Sequence, residues 1–166
     1  MMGFVMFSIL RKKTSQGSDL LTSKLFDEST FYKAFVNDLR SANKSVIIES
    51  PFLTERRALQ FAILFNKLTK QGVSIQINTR QPRHHGKLLE IQAWKAIKIL
   101  KQNGVKIYSY NDMRHRKLAI IDNQILWDGS LNILSQSQSR EIMRRSNSAV
   151  LCKQMVSFTG LWNRYW

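Results

Sequence analysis

The residues best suited to catalysis lie in two short segments, 115–122 and 129–132, separated by six residues. His115 supplies an imidazole whose ordinary pKa of about 6.5 allows it to act as a nucleophile or a proton donor at neutral pH. Lys117 supplies a fixed cation, and the side chains of Ser130 and Asn132 can donate hydrogen bonds to phosphate oxygens. This set predicts phosphodiester cleavage through a covalent phosphohistidine, which requires neither a metal ion nor an organic cofactor.

The sequence that joins the two segments predicts a β-hairpin. Two strand-like runs rich in Ile and Leu flank Asp122-Asn123, a dipeptide typical of a two-residue turn. If Ile121 pairs with Gln124 across this turn, His115 lies opposite Ser130 and both side chains share a face. A change of one residue in the turn would move half of the set to the other face.

One catalytic group is missing, because a single imidazole cannot be both nucleophile and proton donor in one step. The other histidines, His84 and His85, lie in a segment that is typical of a loop. His85 and Lys87 repeat the His-x-Lys spacing, but Gln92 stands where an Asp is needed, so this segment is not a second copy. A symmetric dimer that brings together His115 from both protomers is the simplest source of the proton donor.

The spacing His-x-Lys-x4-Asp-x6-Gly-Ser-x-Asn resembles the HKD motif of the phospholipase D superfamily at every defining position. The resemblance implies a metal-independent phosphodiesterase in which His115 is the nucleophile, the same residue of a second protomer is the acid, and Lys117, Ser130 and Asn132 bind phosphate. Short members with one motif resemble homodimeric nucleases. Those members also carry a glutamate shortly after the Gly-Ser-x-Asn segment, and Glu141 is the candidate here for a supporting role beside the histidines.

Asp122 has two possible roles. It completes the motif and therefore counts among the catalytic candidates. It also falls in the predicted turn, where Asp is favoured because its side chain hydrogen-bonds to nearby backbone. We favour the structural role.

The charge of the chain predicts a polyanionic partner. Lys and Arg number 26 against 11 Asp and Glu, which gives a formal net charge of +15. Nucleic acid is the first candidate, with DNA ahead of RNA, and an anionic membrane surface is the second. Contacts to phosphates carry no sequence specificity. Basic residues near the motif and in the histidine-bearing loop are the candidates for these contacts: Arg114, Arg116, Arg144, Arg145 and Arg83, with Arg80 and Lys87 in the same loop.

The histidine pair itself matches no strong metal-binding spacing, since it lacks nearby Cys or Asp partners. We therefore expect no metal site, and we expect His84 and His85 to face solvent or to contact phosphate. Cys152 is the single cysteine, so no intrachain disulfide can form, and a reducing compartment such as the cytoplasm fits.

Length and composition predict one domain over residues 1–166, because 43% of the residues are hydrophobic and only 2 are proline. The resemblance implies that a phospholipase D-like core covers about 25–152 of them. The apolar residues 1–10 are too short to span a bilayer and precede rather than follow basic residues, so neither a signal peptide nor a stable membrane anchor is expected. A short buried or edge strand is the default for them.

The order of elements predicts an α/β fold in which a mixed β-sheet is flanked by helices on both faces. Trp162, Tyr165 and Trp166 in the tail can pack on the core or on a partner. The predicted elements are a helix from Asp27 or Ser29 to about Ser41, a strand Ser45–Glu49, a helix Glu55–Lys70 capped by Thr54, a strand Val73–Thr79, a helix Lys87–Gln102, a strand Val105–Tyr108, the hairpin, and a strand near Ala149–Cys152.

Our preferred function at this level is a homodimeric, metal-independent endonuclease. A phospholipid hydrolase would use the same residues, and a nucleic-acid-binding module without catalysis would keep the fold. The chain can also serve within a larger restriction, repair or defence assembly.

Overall fold

The computed structural model describes residues 23–135 and 138–161. Within these ranges strands and helices alternate over the first half of the chain, and antiparallel strands follow. The elements are β1 Lys24–Asp27, α1 Phe31–Arg40, β2 Ser45–Glu49, α2 Glu55–Lys70, β3 Ser74–Arg80, a 3-10 turn Pro82–His84, α3 Lys87–Gln102, β4 Lys106–Tyr110, β5 Leu118–Ile121, β6 Ile125–Gly129, β7 Ile142–Asn147 and α4 Ala149–Thr159.

The strands form one mixed sheet in the order β1-β7-β6-β5-β2-β3-β4. Strands β2, β3 and β4 are parallel, whereas β5, β6, β7 and β1 pair antiparallel. The carboxyl ends of β2, β3 and β6 therefore meet the amino ends of β5 and β7 at one edge of the sheet. We call this edge the site edge.

Helices cover both faces of the sheet, as predicted. One face packs against α1, α2 and α3, and the stripe of Phe31, Phe35 and Leu39 on α1 is fully buried there. The other face holds a smaller apolar cluster that includes Leu118 and Ile120 and is covered by α4 through Cys152 and Val156. The α/β class with a mixed sheet is thus confirmed.

Helices α2 and α3 have the bounds that the sequence predicts. At the start of α2 the Thr54 side chain accepts a hydrogen bond from the Arg57 N–H, at 3.4 Å, which is the capping role expected of it. The predicted strand near Ala149–Cys152 is wrong, because these residues open α4. The Ser148 side chain caps this helix at the Leu151 N–H, at 3.2 Å, and strand β7 precedes it.

The predicted hairpin is present, but its register differs by one residue. Ile121 pairs with Ile125 rather than with Gln124. The turn lies at Asp122 and Asn123 as predicted, with φ of 52° at both residues, and the Gln124 N–H closes it by donating to the Ile121 carbonyl at 3.0 Å. Gln124 is then an additional residue outside the pairing. His115 consequently does not lie opposite Ser130 in a regular ladder.

The strand expected within residues 1–10 and the aromatic tail from Trp162 onward lie outside the described residues. Among the helices that the structure describes, none combines the length and apolar character needed to cross a lipid bilayer.

Candidate active site

The motif residues gather at the site edge because three connections end or begin there. His115 and Lys117 lie in the segment that leads into β5, and Ser130 and Asn132 follow the end of β6. Glu141 directly precedes β7. The fold thus brings together five of the residues that the sequence predicts as catalytic.

His115 and Lys117 are in direct contact. The Lys117 Nζ lies 2.6 Å from His115 Nδ1 and 3.4 Å from Nε2, and it donates to the His115 carbonyl at 2.8 Å. When the Lys117 ammonium, which has donors only, donates to Nδ1, the ring proton resides on Nε2. The contact therefore favours a neutral imidazole.

The surroundings of His115 also favour its neutral form. Partial burial lowers the pKa of His115 below its ordinary value, and the positive charges of Lys117 and Arg80 lower it further. Burial likewise lowers the pKa of Lys117, while the charge of Glu141 acts in the opposite direction. A neutral imidazole keeps a lone pair for attack on phosphorus, which is the state that a nucleophile needs.

Ser130 and Gly129 join the end of β6 to the start of β7. The Ser130 N–H donates to the Ile142 carbonyl at 2.9 Å, and the Ile142 N–H donates to the Ser130 hydroxyl oxygen at 3.1 Å. A Cβ atom at Gly129 would collide with the same carbonyl oxygen and with the Met143 backbone, so this close approach requires glycine. The Gly-Ser pair therefore fixes the backbone that carries Asn132.

Asn132 has a polar atom available for a ligand. Its Oδ1 is buried and has no hydrogen-bond partner among the described residues. Buried side-chain oxygens without a partner are rare in folded proteins, and they are often satisfied when a ligand binds. This atom marks the position near which a substrate donor is expected.

Glu141 lies close enough to Lys117 for its charge to act on that side chain. Its carboxylate accepts a hydrogen bond from the Ser139 hydroxyl at 2.8 Å, and its backbone N–H donates to the Glu28 carboxylate at 3.0 Å. Glu28 also pairs with Arg140 at 3.0 Å. These contacts anchor Glu141 at the start of β7, where its charge acts on Lys117.

Asp122 lies at the opposite edge of the sheet. Strand β5, roughly 10 Å long for its residue count, separates it from the site edge. Its carboxylate accepts backbone N–H bonds from Asn43, Lys44 and Ser45, each at 2.8 Å. These contacts fasten the hairpin turn to the start of β2, which is the structural role that the sequence analysis favoured for Asp122.

The arginines on either side of His115 bind a buried carboxylate that the sequence analysis missed. Glu49, at the end of β2, is fully buried, and its Oε1 accepts from Arg114 at 3.4 Å and from Arg116 at 3.0 Å. Arg114 also stacks over the Tyr110 ring, with its Cζ 3.3 Å from the ring centre. Both arginines were predicted to contact substrate, and here they hold the His115 segment against the sheet.

The remaining predicted phosphate contacts are dispersed. Arg145 pairs with Asp38 of α1, at 2.7 Å, on the face that the first three helices cover. Arg144 points to the other face and pairs with Asp128 at 3.0 Å. Arg83 is exposed in the 3-10 turn after β3. The structure does not bring these three side chains together with His115.

The comparisons with known proteins bear directly on the motif. Residues 35–162 match the family model described as "Cardiolipin synthase, PLD-like domain". The chain belongs to the phospholipase D-like family. The resemblance to the phospholipase D superfamily is thereby confirmed, and the members of this superfamily are phosphodiester hydrolases. A comparison with curated proteins found no match.

Solved structures share the phospholipase D-like fold at low sequence identity. Nuc from Salmonella typhimurium, a phospholipase D family member, has a TM-score of 0.71 and 17% identity, over 86% of this chain and 94% of Nuc. NucT from Helicobacter pylori has a TM-score of 0.64 and 20% identity, over 82% and 91%. Phosphatidylserine synthase from Haemophilus influenzae has a TM-score of 0.59 and 12% identity, over 85% and 38%. These likenesses support the fold.

Two further side chains of this phospholipase D-like chain border the site: Phe52, which the sequence analysis did not single out, and Arg80, which it named among the basic residues of the histidine-bearing loop. The Phe52 ring, just after β2, lies 5.7 Å from the His115 ring and 4.9 Å from the His85 ring, measured between centroids. Arg80, at the end of β3, donates to the His84 carbonyl at 2.7 Å. His84 and His85 are partly buried against the site edge rather than fully exposed to solvent. Both histidines follow the end of a parallel strand, and this position in the sequence was the signal that could have placed them at the site edge.

A metal centre has no ligand set within residues 23–135 and 138–161, where no three His, Cys, Asp or Glu side chains gather closely enough to hold an ion.

Proposed function

We propose that this protein is a metal-independent endonuclease that acts as a homodimer and cleaves DNA ahead of RNA through a covalent intermediate on His115. The observation that carries the proposal is the contact between the His115 ring and the Lys117 Nζ, with 2.6 Å between Nζ and Nδ1, next to the Ser130 and Asn132 segment. A nucleophile, a cation and hydrogen-bond donors are the groups that phosphodiester cleavage needs.

The first chemical step uses the contact between His115 and Lys117. A phosphate that enters the site attracts the ammonium, which releases Nδ1, and the ring proton then moves to Nδ1 through solvent. Nε2 gains a lone pair and attacks phosphorus, forming a P–N bond while the P–O bond to the leaving nucleoside breaks. Lys117, Ser130 and Asn132 stabilise the charge on the non-bridging oxygens during this step.

The second protomer supplies the proton. Its His115, in the protonated form that an adjacent phosphate anion favours, donates to the departing alkoxide oxygen. The same imidazole, now neutral, accepts a proton from the water that attacks the phosphohistidine. The P–N bond breaks, a phosphate monoester leaves, and both imidazoles return to their starting states. Glu141 supports this exchange by fixing Lys117 electrostatically.

Nucleic acid is the preferred substrate because of charge. The net charge of +15 favours a polymer that carries one phosphate per nucleotide over a neutral or weakly charged surface. Arg83 and Arg116, which retain exposed surface, and Arg144 are the proposed contacts for the flanking backbone.

The test is a substrate panel in excess EDTA with labelled duplex DNA, single-stranded DNA, RNA and cardiolipin vesicles. We expect cleavage of DNA that chelation leaves unchanged and that His115→Ala abolishes. Loss of activity in EDTA with recovery in magnesium would overturn the mechanism. Turnover of the vesicles alone would favour the phospholipid hydrolase, a rival that the description of the matching family keeps open. Binding of DNA without cleavage over a wide range of salt and pH would favour a binding module.

The dimer is tested by mixing subunits. When wild type and His115→Ala are combined in equal amounts and allowed to exchange, a shared site should leave about one quarter of the wild-type activity per total protein, because only homodimers of wild type carry both imidazoles. Independent sites would leave about one half. Sedimentation of the same samples measures the subunit number.

A further inference from the structure

Buried polar atoms without partners are concentrated in the loop after β3. In the part of the chain that the structure describes, eight buried side-chain atoms have no hydrogen-bond partner, and five of these belong to residues 80–85. They are Arg80 Nε, Gln81 Oε1, His84 Nδ1 and both ring nitrogens of His85. Because each such atom costs stability unless a ligand or water satisfies it, this concentration points to a binding site.

Arg80 and His85 lie beside the catalytic imidazole. The Phe52 ring contacts both imidazoles, with centroid distances of 4.9 Å to His85 and 5.7 Å to His115. The charge of Arg80 acts on both rings: after burial, it is the largest cause of the lowered pKa of His85, and it also contributes to the lowered pKa of His115. Arg80 therefore sits within electrostatic reach of both histidines.

No carboxylate of the described residues forms an ion pair with Arg80. Arg114, Arg116, Arg144 and Arg145 all form ion pairs with carboxylates, whereas Arg80 forms none within residues 23–135 and 138–161. One guanidinium NH2 group is fixed by the His84 carbonyl at 2.7 Å, and Nε is left over. A fixed guanidinium with an unused N–H is suited to binding a phosphate.

We propose that Arg80 and His85 form a second phosphate subsite, which holds the phosphate next to the scissile one in a nucleic-acid strand. This proposal rests on the proposed nuclease function and specifies its substrate. The nitrogens are covered in the substrate-free arrangement, so a phosphate reaches them after a neighbouring side chain turns. Phe52 packs on the His85 ring and is therefore the side chain placed to turn. Rotation of a side chain is fast compared with turnover.

The subsite distinguishes polymers from small diesters. A substrate with one phosphate, such as bis(4-nitrophenyl) phosphate, occupies only the His115 site. An oligonucleotide presents a neighbouring phosphate as well, so it gains binding energy from Arg80 and His85. The two substrates therefore report separately on the catalytic groups and on the subsite.

The experiment compares wild type with Arg80→Gln and His85→Gln on both substrates. We expect each substitution to lower kcat/KM for the oligonucleotide by about 10- to 100-fold, mainly through KM, the range for one charge-assisted hydrogen bond. At a pH well above the His115 titration, the loss on bis(4-nitrophenyl) phosphate should stay within about threefold. Arg40→Gln is the matched control, because it removes the same charge from an exposed position at the end of α1, by the opposite edge of the sheet.

A neutral methylphosphonate in place of either phosphate that flanks the cleavage position gives the decisive comparison. At one of the two positions it should weaken wild type by the same factor as Arg80→Gln and should weaken Arg80→Gln little further. Equal losses on both substrates, or losses that add in full with the methylphosphonate, would overturn the subsite.

Failure of the nuclease itself is separable from failure of the subsite. Oligonucleotide affinity is measured in a His115→Ala background, with and without Arg80→Gln. If wild type cuts no substrate but Arg80→Gln still weakens binding of the charged oligonucleotide and not of the methylphosphonate, the subsite stands and the nuclease proposal fails. If affinity is unchanged, the subsite is overturned whatever the activity.

Discussion

Both ends of the β5–β6 hairpin carry residues of the same motif. The residues at the two ends differ in whether their polar atoms have hydrogen-bond partners. At the turn end, the carboxylate of Asp122 accepts three backbone hydrogen bonds. At the site edge, Asn132 keeps a buried oxygen without a partner, and the imidazole of His115 is bonded to a positively charged donor. The turn end has its carboxylate paired within the protein, whereas the site end keeps a buried acceptor that needs a donor from a ligand or from water.

This difference separates residues that stabilise the fold from residues that act on substrate. A satisfied buried group contributes stability, while an unsatisfied one costs about 1–3 kcal/mol and persists because function requires it. Arg80 and His85 belong with the site end by this criterion. Arg114 belongs with the turn end, although it adjoins His115 in sequence, because its side chain is nearly buried and pairs with Glu49 and Asp112. Arg116 also pairs with Glu49 but keeps exposed surface, so it remains a proposed contact for the substrate backbone.

The largest predicted effect is the loss of chemistry on His115→Ala. We expect kcat to fall by about 10⁴-fold or more, since no other group at the site can form the covalent intermediate. The melting temperature should change by no more than a few degrees, because the side chain is exposed and forms no bond that holds the fold. Single-turnover cleavage and calorimetry on the same preparation measure both. Substantial residual turnover would place the nucleophile elsewhere.

Glu49→Ala should show the next largest effect, and it should lower both the stability and the activity. It leaves two arginines without their buried partner, so we expect a loss of about 3 kcal/mol in the free energy of unfolding. Activity should also fall, because the His115 segment loses its attachment to β2. Glu55→Ala is the matched control: it breaks the partly exposed pair with Lys95, at 3.1 Å, and should cost less than about 1 kcal/mol. Urea titration compares them, and equal costs would contradict this account.

Asp122→Ala should have the reverse signature of His115→Ala. It removes three charge-assisted hydrogen bonds and places Ala at a φ of 52°, so we expect a loss of about 2–3 kcal/mol in stability. The kcat of the folded protein should remain near that of wild type. Asp122→Asn tolerates the backbone better and should lose less. A large fall in kcat at unchanged stability would return Asp122 to the catalytic set.

The sequence predicted what local periodicity and local chemistry decide. Helices α2 and α3 carry regular apolar stripes and clear ends, and the motif identified the residues at the site edge. Local sequence patterns did not predict β7, because Arg144 and Arg145 obscure the apolar pattern of an antiparallel strand. The predicted loop of the hairpin was one residue too short, because the pairing of Gln124 depends on how the ladder continues beyond the turn. The bond between Glu49 and Arg116 joins residues far apart in the chain, and local patterns carry no information about it.

The smallest predicted effect sharpens the comparison at the site edge, where Arg80 acts on His115 through charge. Removing that cation in Arg80→Gln makes the protonated imidazole less unfavourable, so the pKa of His115 should rise toward its ordinary value. The nucleophile works as the neutral form, so the acid limb of kcat/KM on bis(4-nitrophenyl) phosphate should begin below pH 6.5, the ordinary pKa of histidine, in wild type and move to higher pH in the variant. Titration of the imidazole signals by NMR measures the same shift without turnover. Arg40→Gln should leave the His115 titration where it is, and an unchanged pKa in Arg80→Gln would mean that the guanidinium lies too far from the ring to share a substrate with it.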